Sequence, residues 1–234
     1  KTGNNALAVA LGNGRFFTMR QNYKTHKHNN FGFPKLLLQL EIEYTDGHKE
    51  IISSDESWKL NVDGPIRTNN EYDGEEYDAR KEWKGWLQPG YNDAAWMQPE
   101  LVAAPPGVIS SQLSEPMKVM QLIKPRFIKK LASGNYIIDM GQNFSGWIAL
   151  KNLKGKAGDK VVMRFAESLQ PNGELYVANL RDAKVTDVYT LKGTGNENWE
   201  PSFVYHGFRY VEVSAFPGTP QLSQFTGKLV YDAI

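Results

Sequence analysis

The chain has 234 residues, of which 27 are basic and 26 acidic, 41% are hydrophobic and none is cysteine. The balanced charge argues against a nucleic-acid or anionic-membrane partner, and no apolar run approaches the roughly 18 residues of a membrane span. Without cysteine, disulfides, thiolate zinc sites and cysteine nucleophiles are excluded. We therefore expect a neutral ligand or a protein partner, with no nucleic acid and no membrane.

The first part of the chain has the pattern of short β-strands. Apolar residues alternate from Leu36 to Tyr44, which predicts a strand with one buried and one mostly wet face. Asp46-Gly47 indicates a hairpin turn, with Ile51-Ile52 on the returning strand. Further strands are predicted at residues 57–62 and 67–72. A turn at the first residues predicts that the chain starts inside a domain whose first strands are absent.

The second part continues the β pattern after a proline-rich connection, which we place at residues 105–118. Turns recur at the spacing of a β-sandwich. The predicted fold is all-β, with two jelly-roll-like sandwich domains at residues 1–104 and 119–234. The predicted strands of the second domain are 119–128, 136–140, 147–153, 160–167, 185–191, 199–213 and 225–231.

Residues 199–213 are dense in aromatic and β-branched side chains, which predicts one continuous central strand. Bulky residues are predicted on both faces, as in a strand covered on both sides. Tyr205, Val211 and Val213 would share one face, and Phe208 and Tyr210 the other. Because an unpaired buried guanidinium is costly, Arg209 is predicted to pair with a carboxylate or with backbone carbonyls of the fold.

The most acidic segment holds Asp73, Glu75 and Asp78, whose oxygens suit calcium or the hydroxyl groups of a sugar. The alternative, which we favour, is a paired, partly buried network of Glu75, Asp78 and Arg80. Asn29 and Asn30 are a second candidate site for calcium or sugar, against the commoner explanation of exposed loop asparagines.

Catalytic chemistry has no clear signature in the sequence. Glycosidases need two carboxylates flanking the scissile bond, and 26 acidic residues neither reveal nor exclude such a pair. A nucleophile motif of the Gly-x-Ser-x-Gly kind is absent. The indole rings could stack on sugars, but core packing is the favoured interpretation. The tryptophans concerned are Trp86, Trp96, Trp147 and Trp199.

Six segments, taken in order, resemble the amino-terminal β regions of bacterial α-L-rhamnosidases of glycoside hydrolase family 78. Two of them read Tyr72-Asp-Gly-Glu-Glu-Tyr-Asp-Ala-Arg80 and Asp139-Met-Gly-Gln-Asn-Phe-Ser-Gly-Trp147. The others are Asn5–Arg15, Leu40–Gly47, Asn179–Gly193 and Glu200–Val213. The resemblance extends over nearly the whole chain.

The resemblance implies that a separate (α/α)6 barrel hydrolyses terminal α-L-rhamnosyl residues, so no catalytic residue is expected in this chain. The chain would be an inactive accessory portion whose partners are that barrel and, through the parent enzyme, rhamnose-containing glycans. The first sandwich resembles a calcium-dependent rhamnose-binding module. Its possible calcium ligands here are Asn29, Asn30 and the carbonyl of Pro34, and calcium is the cofactor that the resemblance suggests.

Two alternatives stay open at this point. One is a separate calcium-assisted module that binds L-rhamnose or another carbohydrate, and the other is an unrelated β-sandwich interaction module. The polysaccharide diet of the family favours a bacterial periplasmic or extracellular location over a cytoplasmic one, although the sequence itself leaves the location open.

Overall fold

The computed structural model describes residues 3–14, 16–17, 32–104, 106–108 and 110–233. Within these ranges the fold is all-β, as predicted, with 3₁₀ turns at Ala79–Lys81, Ala178–Leu180 and Leu222–Gln224. None of the described helical segments is long and apolar enough to cross a membrane. The strands are β1 (Gln39–Glu43), β2 (Lys49–Ser53), β3 (Ile66–Asn70), β4 (Gly74–Asp78), β5 (Met117–Ile123), β6 (Phe127–Lys130), β7 (Tyr136–Leu153), β8 (Lys160–Ala166), β9 (Thr186–Thr190), β10 (Glu197–Trp199), β11 (His206–Ala215) and β12 (Phe225–Asp232).

The chain divides into two compact units, and the smaller comprises Lys1–Leu11, Pro34–Gly64 and Trp83–Ser111. Its hairpin of β1 and β2 confirms the predicted Asp-Gly turn, which closes through Tyr44 N to His48 O at 2.9 Å. The predicted buried face is wrong for Leu40 and Tyr44, which are 38% and 40% exposed. The strand predicted at 57–62 is reduced to a single bridge between Leu60 and Met97.

An aromatic cluster anchors the second half of the smaller unit. The Trp83 ring lies 5.0 Å from Trp96 and 6.3 Å from Trp86, and Tyr91 meets the edge of Trp96 at 5.7 Å. The three indoles are half-buried against one another. Trp86 and Trp96 therefore pack as anchors, which is the role that the sequence favoured.

The larger unit comprises Gly12–Phe33, Pro65–Glu82 and Gln112–Ile234. Its sheet has the order β3-β4-β9-β8-β11-β7-β12-β5, with β6 and β10 also pairing with β7. The pairing of β4 with β9 is parallel, and the other pairs are antiparallel. The two strands predicted at 136–140 and 147–153 are one strand, β7, which bulges at Gly141.

Residues 199–213 do not form the single strand that the sequence predicted. β10 ends at Trp199, residues 200–205 form a loop, and β11 begins at His206. The pairing of β11 with β7 is interrupted between Phe208 and Tyr210, so the inward-facing set shifts by one residue. Phe208, Val211 and Val213 consequently share one buried cluster, whereas Tyr205 is 51% exposed.

Residues 65–82 belong to the larger unit, where their strands β3 and β4 pair within its sheet, although the sequence placed them in the first sandwich. Glu76 of β4 lies opposite Val188 of β9 in a parallel pairing. No local sequence pattern predicts this pairing, because β4 and β9 are far apart in the sequence. The division into 1–104, 105–118 and 119–234 stays a prediction.

Candidate functional site

The acidic segment begins with a tight turn that leads into β4. The side chain of Asn70 accepts hydrogen bonds from the amides of Tyr72 at 3.0 Å and Asp73 at 2.9 Å. The Asp73 carboxylate accepts a hydrogen bond from Lys184 N at 3.3 Å, and its carbonyl accepts one from Thr186 N at 2.9 Å. Asp73 thus joins the turn to the start of β9.

Glu75 is completely buried, with 0% of its surface exposed. Its carboxylate accepts hydrogen bonds from Ser202 N at 3.1 and 3.2 Å and from Phe203 N at 3.0 Å. Burial raises the pKa of the Glu75 carboxyl to about 7, and the negative charge of Asp187 also raises it. The hydrogen bonds from the two amides lower this pKa, but by less. Glu75 therefore fastens the loop 200–205 to β4.

Asp187 and His206 lie beside Glu75 and were not identified from the sequence. Asp187 Oδ1 accepts a hydrogen bond from Glu75 N at 3.0 Å and lies 3.1 Å from His206 Nε2. The His206 ring stacks on Phe165 with 4.5 Å between centroids. Within the described residues, Asp187 Oδ2 has no hydrogen-bond partner. The available signal was an acid and an imidazole in strands that also hold several β-branched and aromatic residues.

Asp78 pairs with Arg80 rather than with Glu75. Arg80 Nε donates to Asp78 Oδ1 at 2.8 Å, and Nη2 donates to Oδ2 at 2.7 Å. The side-chain hydrogen bonds from Arg80 lower the pKa of the Asp78 carboxyl. The favoured network therefore exists as two separate parts. One is the ion pair of Asp78 with Arg80, whose side chains are 13% and 51% exposed, and the other is the set of buried contacts of Glu75.

Two cavities of the larger unit offer polar groups to a small ligand. One of about 140 Å³ adjoins the ion pair and is lined in part by Arg67, Glu76, Asp78, Arg80, Lys160 and Thr190. The other, of about 520 Å³, lies at the ends of β7, β8 and β11, where Tyr136, Asp159, Ser214 and Phe216 contribute to its wall. Donors, acceptors and ring edges of this kind can contact sugar hydroxyls and a sugar ring. Sugar contact by Asp73, Glu75 and Asp78 stays a prediction.

The predicted calcium ligands are only partly visible. Asn29 and Asn30 lie outside the described residues, and Pro34 is half-buried in the smaller unit. In the described part of the chain, no group of three or more His, Asp or Glu side chains could hold a metal ion. Amide and carbonyl oxygens are suitable donors for calcium, so the calcium site also stays a prediction.

Arg209 confirms its predicted pairing with a carboxylate of the fold. It binds Asp139, which is 3% exposed, with two hydrogen bonds. Gly141 N donates a third to Asp139 Oδ1 at 2.6 Å. The hydrogen bond from Arg209 is the main cause that lowers the pKa of the Asp139 carboxyl.

Two family models match the chain in succession. Residues 1–121 match the α-L-rhamnosidase N-terminal domain, and residues 129–231 match the bacterial α-L-rhamnosidase concanavalin-like domain. Together they account for most of the sequence, and the first alone covers more than half of it. The alternative of an unrelated sandwich module is therefore wrong.

Individual relatives agree with the family models. An α-L-rhamnosidase from Streptomyces avermitilis is 40% identical over 99% of this chain and 22% of its own length. The solved α-L-rhamnosidase from Dictyoglumus thermophilum is 42% identical with a TM-score of 0.85, over 95% of this chain and 24% of that one. The S. avermitilis enzyme solved with L-rhamnose has 42% identity and a TM-score of 0.80, over 84% of this chain and 19% of that one.

The four matching sequences are all α-L-rhamnosidases, and the chain spans 22–25% of their lengths. Its fold agrees with solved members over most of its residues, and its two matched segments carry the names of two successive domains of one family. The chain therefore belongs to the bacterial α-L-rhamnosidase family, of which it carries the N-terminal and concanavalin-like domains.

Proposed function

We propose that the chain is a non-catalytic accessory portion of an α-L-rhamnosidase that hydrolyses terminal α-L-rhamnosyl residues. The observation that carries this proposal is that the chain matches two domains of the family. The chain also spans only 22–25% of the length of its relatives. Hydrolysis is assigned to a part of the parent enzyme outside these residues, the (α/α)6 barrel that the family resemblance implies.

The contacts of the buried acidic side chains support the assignment of hydrolysis to a part outside this chain. A glycosidase needs a general acid with a raised pKa that can reach the glycosidic oxygen. Among the described residues, Glu75 is the carboxyl group with a raised pKa, and it is wholly enclosed by the fold. Asp139 and Glu197 are also buried, and they bind Arg209 and the Tyr189 hydroxyl respectively. These acids are engaged in holding the fold.

The proposed substrate class is a glycan with terminal L-rhamnose, which reaches the chain through its parent enzyme. The solved relative from S. avermitilis was complexed with L-rhamnose. The balanced charge of 27 basic and 26 acidic residues suits a neutral sugar. Asp73 and Asp78, which are partly exposed in the larger unit, are the proposed sugar contacts.

The direct test is an assay of the 234-residue chain with an aryl α-L-rhamnoside, using a full-length family member as the positive control. We expect no release of the aryl alcohol above the uncatalysed rate. Turnover that increases in proportion to the concentration of the purified chain would overturn the proposal.

Calcium-assisted binding of L-rhamnose is the finer part of the proposal, with Asn29, Asn30 and the carbonyl of Pro34 as its ligands. Titration calorimetry with L-rhamnose, first with calcium and then with a chelator, separates a binding module from a scaffold. A scaffold gives no calcium-dependent heat. Heat that disappears with the chelator and in an Asn29→Ala, Asn30→Ala double variant assigns binding to this segment.

A further inference from the structure

Three buried titratable side chains meet in the larger unit. Glu75, Asp187 and His206 belong to β4, β9 and β11, and they are 0%, 0% and 3% exposed. Asp187 links the other two, since its Oδ1 binds the Glu75 amide and approaches the His206 ring. The contacts of a buried acid such as Glu75 depend on its protonation state, because only its charged form loses much hydration on burial.

The cluster holds a loop that in turn covers another segment. The Glu75 carboxylate accepts the Ser202 and Phe203 amides of loop 200–205. The Phe203 ring packs so closely on Gly12 that a Cβ there would lie 2.4 Å from the ring. Next to it, Asn13 N donates to Asn69 Oδ1 at 2.7 Å. Asn69 of β3 lies opposite Glu75 of β4, so these paired residues hold the segment at Gly12 and the loop side by side.

We propose that Glu75, together with Asp187 and His206, is a proton-controlled latch for loop 200–205, which is closed while the Glu75 carboxyl is neutral and loosens when it ionises.

The groups around Glu75 explain the direction of this latch. Asp187 faces it from β9, His206 lies beyond Asp187 on β11, and Tyr77 and Asn69 come from β4 and β3. No cation among these groups forms an ion pair with the Glu75 carboxylate, and the loop contributes two neutral amides. A carboxylate in this site therefore loses hydration without gaining a counter-ion, whereas a neutral carboxyl still accepts hydrogen bonds through its carbonyl oxygen.

Opening the loop would return Glu75 to water, where its pKa has the ordinary value of 4.5 instead of about 7. Opening then releases a proton between these two values, so the open form gains as the pH rises. From pH 5 to pH 8 the opening equilibrium constant should increase at least about tenfold.

Hydrogen exchange of residues 200–205, corrected for the intrinsic rate at each pH, measures this constant. We expect the increase in the wild-type chain, and a flat profile in Glu75→Gln, which keeps an acceptor oxygen but cannot ionise. Glu76→Gln is the matched control, because Glu76 is the exposed neighbour on the same strand, and it should follow the wild type.

A flat wild-type profile would contradict the proposal, and so would an unchanged pH dependence in Glu75→Gln, because the effect would then not arise from Glu75. Should Glu75→Gln fail to fold, the carboxyl ¹³C shift of Glu75 in the wild-type chain decides the matter. A midpoint near 7 supports the latch, and one near 4.5 overturns it. Neither result depends on whether the chain or its parent acts on rhamnosides.

Discussion

The guanidinium of Arg209 meets the carboxylate of Asp139 in a two-pronged pair, with Nε to Oδ1 at 2.9 Å and Nη2 to Oδ2 at 2.8 Å. Asp139 is buried, and the Arg209 side chain is 37% exposed. The pair joins β7 to β11 where their regular pairing is interrupted by the bulge at Gly141. A charged pair with parallel hydrogen bonds thus secures the place where backbone pairing is lost.

The first prediction concerns this pair. Asp139→Asn should lower the free energy of unfolding at pH 7 by about 1–3 kcal/mol, because the amide cannot accept both hydrogen bonds and leaves Arg209 without its counter-ion. The folded-state pKa of Asp139 is lowered, so its stabilisation is present above the ordinary pKa and disappears as the pH falls through the folded value. The variant and the wild type should therefore converge in strong acid.

Urea unfolding at several pH values measures this difference. Asp232→Asn is the control, since Asp232 is exposed at the end of β12, and it should change stability by less than about 0.5 kcal/mol. A loss that is the same at acidic and neutral pH would show that Asp139 acts through packing rather than through its charge.

The second prediction concerns the turn after β9. Glu197 Oε1 accepts the Gly193 amide at 2.8 Å, and Oε2 accepts the Lys192 amide at 3.0 Å and the Tyr189 hydroxyl at 2.7 Å. Burial alone would raise the pKa of Glu197, but these hydrogen bonds outweigh it and the pKa is lowered. Glu197→Gln should cost about 2 kcal/mol at pH 7, because one of the two acceptor oxygens is replaced by an amide nitrogen.

Tyr189→Phe removes only the hydroxyl and should cost about 1 kcal/mol. The double variant should lose less than the sum of both changes, since the two side chains share one hydrogen bond. Chemical denaturation at pH 7 gives the three values, with the exposed Glu115→Gln as control. Strict additivity would mean that the Tyr189 to Glu197 hydrogen bond contributes nothing to stability.

The third prediction concerns Gly74, which starts β4 with a φ of +102°. A Cβ at this position would lie 2.1 Å from the Thr186 carbonyl oxygen and 2.7 Å from Asp187 Oδ1. Gly74→Ala should therefore cost more than about 3 kcal/mol, from backbone strain and from displacement of β9 together. Thermal unfolding followed by circular dichroism measures the loss.

Gly195→Ala is a matched control for backbone strain alone. Gly195 has a φ of +110°, and a Cβ there would meet no atom within 4 Å. The control should cost about 1 kcal/mol. Equal losses in the two variants would contradict the close packing of β4 against β9.

What the sequence could predict depended on how local each signal was. The Asp46-Gly47 turn predicts its hairpin because both strands adjoin it, and Arg209 predicts a partner because an unpaired buried cation is costly. The sequence could not identify Asp139 as that partner, because it lies 70 residues from Arg209 along the chain. The contact between Glu75 and Asp187 could not be predicted either, because 112 residues separate them along the chain.

The acidic segment shows the same limit in a different way. The sequence favoured a partly buried network of Glu75, Asp78 and Arg80, but it did not show that Gly74–Asp78 is a strand or that Glu75 lies beneath a loop 127 residues away. Strand alternation within an acidic run is hidden when the buried member is itself an acid. Only the tertiary pairing with β9 separates the buried Glu75 from the exposed Glu76.

The last prediction tests the corrected account of residues 199–213. The Phe208 ring is 0% exposed and lies 4.5 Å from Phe144 and 4.8 Å from Phe165. Phe208→Ala should cost about 3–5 kcal/mol, because it removes an aromatic side chain from a closed core. Tyr205→Ala should cost less than about 1 kcal/mol, since Tyr205 lies in the loop and is half-exposed. Urea unfolding followed by tryptophan fluorescence compares the two variants directly. A continuous strand with Tyr205 packed on the same face as Val211 would instead give losses of similar size.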